Sequence, residues 1–234
     1  MKIKQKQAEL QGIPNNGREI SFGYPPVSGI VRQIVSQLDH RKLARPTSSY
    51  TASLVCDAWK NPLGQYESEI IRILRDSQFL EFTGNLYLPK GKGQISDGVL
   101  MEDDPEVING RFLMYREDLT KRLEGSRSLK CGVLVSKCGG VRFVPFGYKT
   151  GEQSASDLGR NPNIIGKYGE EDAEKIAEVA GRYDLNPILT THCHVNEETI
   201  RGSALVQSAD GRINISGVDS GSWIGHAFGL IKVA

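Results

Sequence analysis

The strongest constraint on the fold is a change of hydrophobic periodicity near residue 79. Before this point, apolar residues recur at i, i+3, i+4, i+7, i+8 and i+11, a helical stripe formed by Val27, Ile30, Val31, Ile34, Val35 and Leu38. After it, short runs rich in β-branched and aromatic residues alternate with turn sequences, a pattern typical of strands. The chain is therefore predicted to place its helices early and its strands late.

Three helices are predicted in the first third, over 27–38, 48–60 and 65–76, after a loop-like start with one short strand at 18–22. One long helix is predicted over 170–183, where apolar residues share a face. We expect an α+β fold, with a helical N-terminal third followed by a mostly antiparallel sheet against which this helix packs. The corresponding domains are residues 1–78 and 79–234. The alternative is that both regions belong to one continuous domain.

The predicted strands are short and separated by turn signals. Residues 79–88 are interpreted as two strands about a Thr83-Gly84-Asn85 turn, and residues 131–146 as a hairpin. Residues 188–195 form a predicted strand, and 200–207 pairs with 212–217 around Ala209-Asp210-Gly211. A closing strand is expected over 223–233.

Composition places the chain among ordinary globular proteins. It has 234 residues, of which 38% are hydrophobic and 24% charged. The first residues carry no apolar signal-peptide segment, and no apolar run is long enough to cross a bilayer. Four scattered cysteines are too few for a disulfide framework in a chain of this size. We expect a soluble, cytoplasmic protein with no membrane partner.

Charge is unevenly distributed along the chain. The formal net charge is +1, which argues against a protein dedicated to wrapping nucleic acid. Residues 1–50 nevertheless hold eight basic and three acidic side chains, a net of +5. Such a region could contact a phosphate backbone or an acidic partner, so nucleic acid remains a possible but not favoured partner.

A His-x-His motif lies within the predicted strand 188–195. Because alternate residues of a strand share a face, His192 and His194 would lie about 6.5–7 Å apart and could chelate one divalent metal. The third ligand would come from one of four candidates: His226, Glu197, Glu198 or Asp219. The structural alternative is that both histidines are partly buried and hydrogen-bonded on a packed strand.

A long polar stretch, residues 147–163, precedes the predicted helix 170–183. Loops of more than about 12–15 residues are uncommon in compact domains and often carry function. Ser154 or Ser156 could cap a short helix whose first amides attract anions, and two cations would add charge. The candidate ligand-binding residues are Lys149, Thr150, Gln153, Ser154 and Arg160.

These patterns favour a non-catalytic binding or interaction module that recognises an anionic small molecule or protein partner. No complete set of catalytic residues can be assembled, so the sequence leaves open whether the chain is an enzyme. The alternative is a metal-dependent hydrolase or nuclease centred on His192 and His194, with His226 as a third ligand and a divalent metal as cofactor.

Overall fold

A computed structural model describes residues 8–15, 17–92, 95–218 and 223–231. In the first half of the chain the strands are β1 (Ala8–Asn15), β2 (Arg18–Tyr24), β3 (Val27–Ile30), β4 (Leu43–Ala44), β5 (Phe79–Leu88), β6 (Gly98–Asp103), β7 (Glu106–Ile108) and β8 (Arg111–Leu113). The later strands are β9 (Arg127–Ser128), β10 (Leu134–Val135), β11 (Val141–Pro145), β12 (Gly151–Glu152), β13 (Ile188–Thr190), β14 (Thr199–Gln207), β15 (Ile213–Val218), β16 (Ile224–Ala227) and β17 (Leu230–Ile231). The helices are α1 (Val31–Arg41), α2 (Ser48–Ala58), α3 (Gln65–Asp76), α4 (Arg116–Arg122), α5 (Ala155–Arg160), α6 (Pro162–Tyr168) and α7 (Glu170–Arg182).

Most strands belong to one large mixed sheet. Nine of them follow the order β12-β13-β15-β14-β5-β6-β11-β10-β9, and β16 joins β5 and β3. Most pairings are antiparallel, but β13 runs parallel to β15 and β16 runs parallel to β5. A four-stranded sheet has the order β1-β2-β17-β4, and β7 pairs with β8. The described chain is thus mostly sheet, with short helices distributed along it.

The predicted α+β arrangement, a helical N-terminal third followed by sheet, is wrong. Three strands, β1 to β3, precede the first helix, and four helices, α4 to α7, follow residue 79. Strand β2 covers the predicted strand 18–22. Strand β1 was not predicted because it contains Gly12 and Pro14 and its register shifts between Leu10 and Ile13. A bulge of this kind breaks the two-residue period on which strand prediction depends.

The first predicted helix begins later than its apolar stripe suggests. Residues 27–30 form β3, and α1 starts at Val31. Gly29 has φ of 137°, outside the helical region, and β3 pairs with β16 near the other end of the chain. Because that pairing is not visible in local spacing, the apolar stripe predicts a helix for four residues that form a strand.

The turn predicted at Thr83-Gly84-Asn85 is also wrong, since β5 runs without interruption and all ten of its residues are buried. Two of its polar side chains donate hydrogen bonds inside the sheet. Thr83 Oγ1 donates to Asp103 Oδ1 at 3.1 Å, and Asn85 Nδ2 donates to Ser203 Oγ at 2.9 Å. Thr83 and Asn85 are of types that usually mark turns, but in this strand their side chains bond to residues of neighbouring strands.

Other predicted elements agree with the structure. Helix α3 covers the predicted 65–76, and α2 and α7 end within two residues of their predicted limits. The hairpin of β14 and β15 turns at residues 208–212, and β10 pairs with β11 as predicted. The predicted closing strand is divided into β16 and β17, with residues 232 and 233 outside the described ranges.

The largest apolar cluster contains residues from both predicted domains. Phe22, Leu54 and Leu74 pack in the same cluster as Val144 and Phe228. The division at residue 78 therefore crosses a shared core. No helix in the described ranges is long and apolar enough to cross a membrane.

Candidate functional site

Most of the polar stretch 147–163 is folded into β12, α5 and α6 rather than forming one loop. Ser154 caps α5, because its Oγ accepts a hydrogen bond from the Asp157 amide at 3.0 Å. Asn161 caps α6 in the same way, with Oδ1 accepting from the Asn163 amide at 3.0 Å. The predicted cap at Ser154 is confirmed, whereas the long loop is not.

A cavity of about 450 Å³ lies beside this segment. Among the five predicted ligand-binding residues, Lys149, Gln153 and Arg160 line it, whereas Thr150 and Ser154 do not. Small-molecule sites in proteins usually occupy about 300–1,000 Å³, so the cavity is large enough for a small ligand.

Two buried amides hold the wall of this cavity in place. Gln153 Nε2 donates to the main-chain oxygens of Lys149 at 3.2 Å and Gly151 at 3.3 Å. Asn161 Nδ2 donates to the same Lys149 oxygen at 2.7 Å. Because these amide donors are engaged within the protein, Gln153 and Asn161 position Lys149, and they offer little to a ligand.

The two cations at the cavity differ in their partners. Lys149 Nζ lies 3.1 Å from Asp157 Oδ2, and its hydrogen bond holds the pKa of Asp157 below its ordinary value. The Arg160 side chain is exposed and makes no hydrogen bond or ion pair with any other described residue. Its guanidinium therefore presents a full set of donors to solvent beside the cavity.

Tyr148 connects this cavity to the segment that carries the His-x-His motif. Its hydroxyl donates a hydrogen bond to the main-chain oxygen of His192. Burial raises the pKa of Tyr148 well above its ordinary value, so the hydroxyl stays protonated as a donor. Nearby, the Tyr87 hydroxyl and Thr191 Oγ1 are 2.5 Å apart. These contacts fix the backbone of residues 191 and 192.

The expected metal geometry is not formed at the histidine motif. Strand β13 ends at Thr190, so His192 and His194 do not share a face of a strand. The His192 ring packs edge-on against Tyr87 with 5.0 Å between centroids, and His194 Nε2 lies 3.2 Å from Asn196 Oδ1. Partial burial, with a smaller effect of Arg201, lowers the pKa of His192. The cationic Arg201 also opposes a metal ion here.

The third proposed ligand, His226, lies elsewhere in the sheet. It pairs with Phe79 on β5, whereas His192 contacts Tyr87 on the same strand. Eight residues of strand separate these two positions, about 26 Å at the usual rise. Asp219 lies outside the described residues, and Glu198 forms an ion pair with Arg116 at 2.9 Å. Within the described ranges, no three His, Cys, Asp or Glu side chains group as a metal site.

The basic N-terminal region is only partly described. Three of its eight cations, Lys2, Lys4 and Lys6, lie outside the described residues. Arg45 pairs with Asp104 at 2.6 Å, and Arg41 donates to a main-chain oxygen. The nucleic-acid hypothesis stays a prediction.

Sequence reasoning missed a set of buried charged residues: Glu81, Arg142, Lys167 and Asp172. Charged residues are ordinarily exposed, so periodicity alone assigns them to the surface. A signal was present at Glu81 and Lys167, since each interrupts an apolar run, Phe79-Leu80-Glu81-Phe82 and Ile164-Ile165-Gly166-Lys167-Tyr168. A charge within such a run indicates either an exposed strand face or a buried polar group.

Comparisons with known proteins bear on the fold. No protein-family model and no curated protein matches the chain. A solved structure described as "Accommodation of massive sequence variation in Nanoarchaeota by the C-type lectin fold" matches with a TM-score of 0.56 and 12% sequence identity, over 97% of this chain and 99% of that one. At this identity the likeness concerns the fold alone. The chain therefore has a C-type lectin-like fold.

Proposed function

We propose that this chain is a non-catalytic binding module that takes an anionic group of a small ligand or partner into the cavity beside β12 and α5. The observation that carries the proposal is Arg160, an exposed guanidinium at the cavity that has no partner among the described side chains. A guanidinium matches the geometry of carboxylate and phosphate groups, which accept two parallel hydrogen bonds from it.

The hydrogen-bonded backbone around Arg160 indicates an ordered binding site rather than a mobile surface charge. Arg160 ends α5, which Ser154 caps, and the next residue, Asn161, caps α6. Asn161 and Gln153 are buried and hold the Lys149 backbone from inside. A pre-ordered site loses less conformational entropy when a ligand binds, so more of the contact energy appears as affinity.

The fold also supports a binding role. The solved structure with this fold is described as accommodating massive sequence variation. Such tolerance requires surface positions that can change while the buried framework stays constant. In this chain the framework is carried by the buried strand β5 and its neighbours, and the Arg160 cavity lies outside that strand.

The metal-dependent hydrolase or nuclease remains a hypothesis without structural support of its own. Its third ligand, His226, pairs with Phe79 on β5, whereas His192 contacts Tyr87 on the same strand. We therefore propose the binding module alone.

Replacing Arg160 with alanine is expected to weaken anion binding at this cavity by at least about tenfold, because a hydrogen bond to a charged group is worth about 1.5–3 kcal/mol. The measurement is isothermal titration with inorganic phosphate and with citrate. Arg182→Ala is the matched control, since Arg182 is also exposed near a helix end but pairs with Glu178.

Circular dichroism should show the same folded signal for both variants, because neither side chain is buried. Equal affinities for Arg160→Ala, Arg182→Ala and the unaltered chain would refute the proposal.

A further inference from the structure

A second cavity, of about 330 Å³, is lined by Ile165, Lys167 and Tyr168 from the C-terminal half of α6. Thr47 and Tyr50, at the start of α2, line it together with Gly169 and Glu170, at the start of α7. The first amides of a helix have no acceptor within the helix and carry partial positive charge. Neither N-cap residue makes a side-chain cap, but the Ser48 amide donates to Thr83 Oγ1 at 3.0 Å, and the first turn of α7 carries Glu170, Glu171 and Asp172.

Lys167 lines this cavity and is 2% exposed. Its Nζ has no hydrogen-bond partner, and no ion pair within 4 Å connects it to another described residue. Burial of an ammonium group without a partner is costly, so native proteins rarely leave one unmatched. The position calls for an acceptor that the surrounding residues do not supply.

Arg142 lines the same cavity and is 8% exposed. Its two terminal nitrogens bind Asp103 at 2.5 and 2.6 Å, and one of them also donates to the Gly139 oxygen at 2.9 Å. The remaining donor, Nε, is buried and has no partner. Two residues that line this cavity therefore each carry a buried cationic side chain with an unmatched nitrogen donor.

The lining of the cavity carries three cations, Arg127, Arg142 and Lys167, and two carboxylates, Asp103 and Glu170. Asp103 neutralises Arg142 through the bidentate ion pair. Glu170 and Arg127 are both exposed and of opposite sign. Glu81 partly balances Lys167 from outside the cavity lining, but its oxygens already accept hydrogen bonds from Ser48 Oγ at 2.9 Å and the Tyr168 hydroxyl at 3.1 Å.

We propose that this cavity binds an oxyanion, the carboxylate or phosphate group of a small molecule, with Lys167 Nζ and Arg142 Nε among its donors. An oxyanion brings several acceptor lone pairs and so can satisfy both unmatched donors together. The site is distinct from the Arg160 cavity and does not depend on it.

The test uses Arg160→Ala as the background, so that binding at the first cavity does not interfere. Inorganic phosphate and acetate are titrated separately, by calorimetry and by NMR of a chain labelled at lysine Cε. One of the two anions is expected to bind saturably and to shift the Lys167 resonance. Adding Lys167→Met should weaken that binding by at least about tenfold.

The double change Glu81→Gln with Lys167→Met serves as a second variant, because it removes both buried charges together and so avoids a lone buried carboxylate. It is expected to fold and to lose the same binding. Phosphate binding without acetate binding would assign a phosphate group, and the reverse a carboxylate. Absence of saturable binding of either anion, or unchanged binding after Lys167→Met, would overturn the proposal.

Discussion

Replacement of Asp172 with alanine is expected to lower the free energy of unfolding by about 3–5 kcal/mol, the usual cost of removing one partner from a buried ionic network. Asp172 is fully buried on α7. Its carboxylate accepts hydrogen bonds from four side chains: Asn15 at 3.1 Å, Ser49 at 2.5 Å, Ser53 at 3.0 Å and Lys175 at 3.0 Å. Its loss leaves several donors without their acceptor.

The effect should be large because Asp172 connects three elements. Asn15 ends β1, and Ser49 and Ser53 lie on α2. Urea denaturation followed by circular dichroism measures the change. Asp172→Asn keeps the shape but removes the charge, so it should give an intermediate loss. Glu174→Ala, an exposed position on the same helix, should change stability by less than about 0.5 kcal/mol. Similar losses for Asp172→Ala and Glu174→Ala would contradict the role assigned to Asp172.

The double change Glu81→Gln with Lys167→Met is expected to raise the free energy of unfolding by about 1–4 kcal/mol between pH 7 and 8, since replacing buried ionic groups with neutral side chains of similar volume is often stabilising. Burial raises the pKa of Glu81 to about 7, although Lys167 opposes the shift. Burial lowers the pKa of Lys167 to about 8, although Glu81 opposes that shift. Burial therefore disfavours the charged form of each group in the folded protein.

The sign of the pH dependence follows from these two directions. Glu81 has a folded pKa above its ordinary 4.5, so its stabilising effect is present at low pH and is lost as pH rises through about 7. Lys167 has a folded pKa below its ordinary 10.5, so its stabilising effect is present at high pH and is lost as pH falls through about 8. The two charged groups therefore lower the free energy of unfolding most between about pH 7 and pH 8.

We expect the advantage of the double variant to be largest near pH 7.5 and to shrink towards pH 5 and pH 10. Urea denaturation across this range measures it, in buffers that contain neither phosphate nor carboxylate. An advantage that does not vary with pH, or a double variant less stable than the unaltered chain at pH 7.5, would refute this account of Glu81 and Lys167.

Elements with one apolar face could be predicted from the sequence, and those set by distant pairing could not. Helix α3 has an apolar stripe formed by Ile70, Ile71, Ile73 and Leu74, and its predicted limits agree with the structure. The apolar spacing of β3 continues that of α1, so the sequence predicts a helix there. The residues form a strand because they pair with the distant strand β16. Strand β5 is buried on both faces, so it lacks the alternation that marks a half-buried strand.

The same distinction applies to the candidate sites. The polar stretch 147–163 indicated Lys149, Gln153 and Arg160, and all three line one cavity. Their different roles could not be inferred, because the structural role of Gln153 depends on hydrogen bonds to backbone atoms. The second cavity could not be predicted at all, since Arg142 and Lys167 come from separate elements that meet only in the folded chain.

The most direct test of the proposed binding function is NMR mapping of anion binding in the Lys167→Met variant, which leaves the Arg160 cavity unaltered. Phosphate or citrate is added to protein labelled with ¹⁵N, and the amide and Arg160 Nε signals are followed. We expect saturable shifts confined to Lys149, Arg160 and Asn161, the residues around the first cavity. Shifts centred on the segment from His192 to Glu198, or shifts at the cavity that never saturate, would contradict an anion site at Arg160.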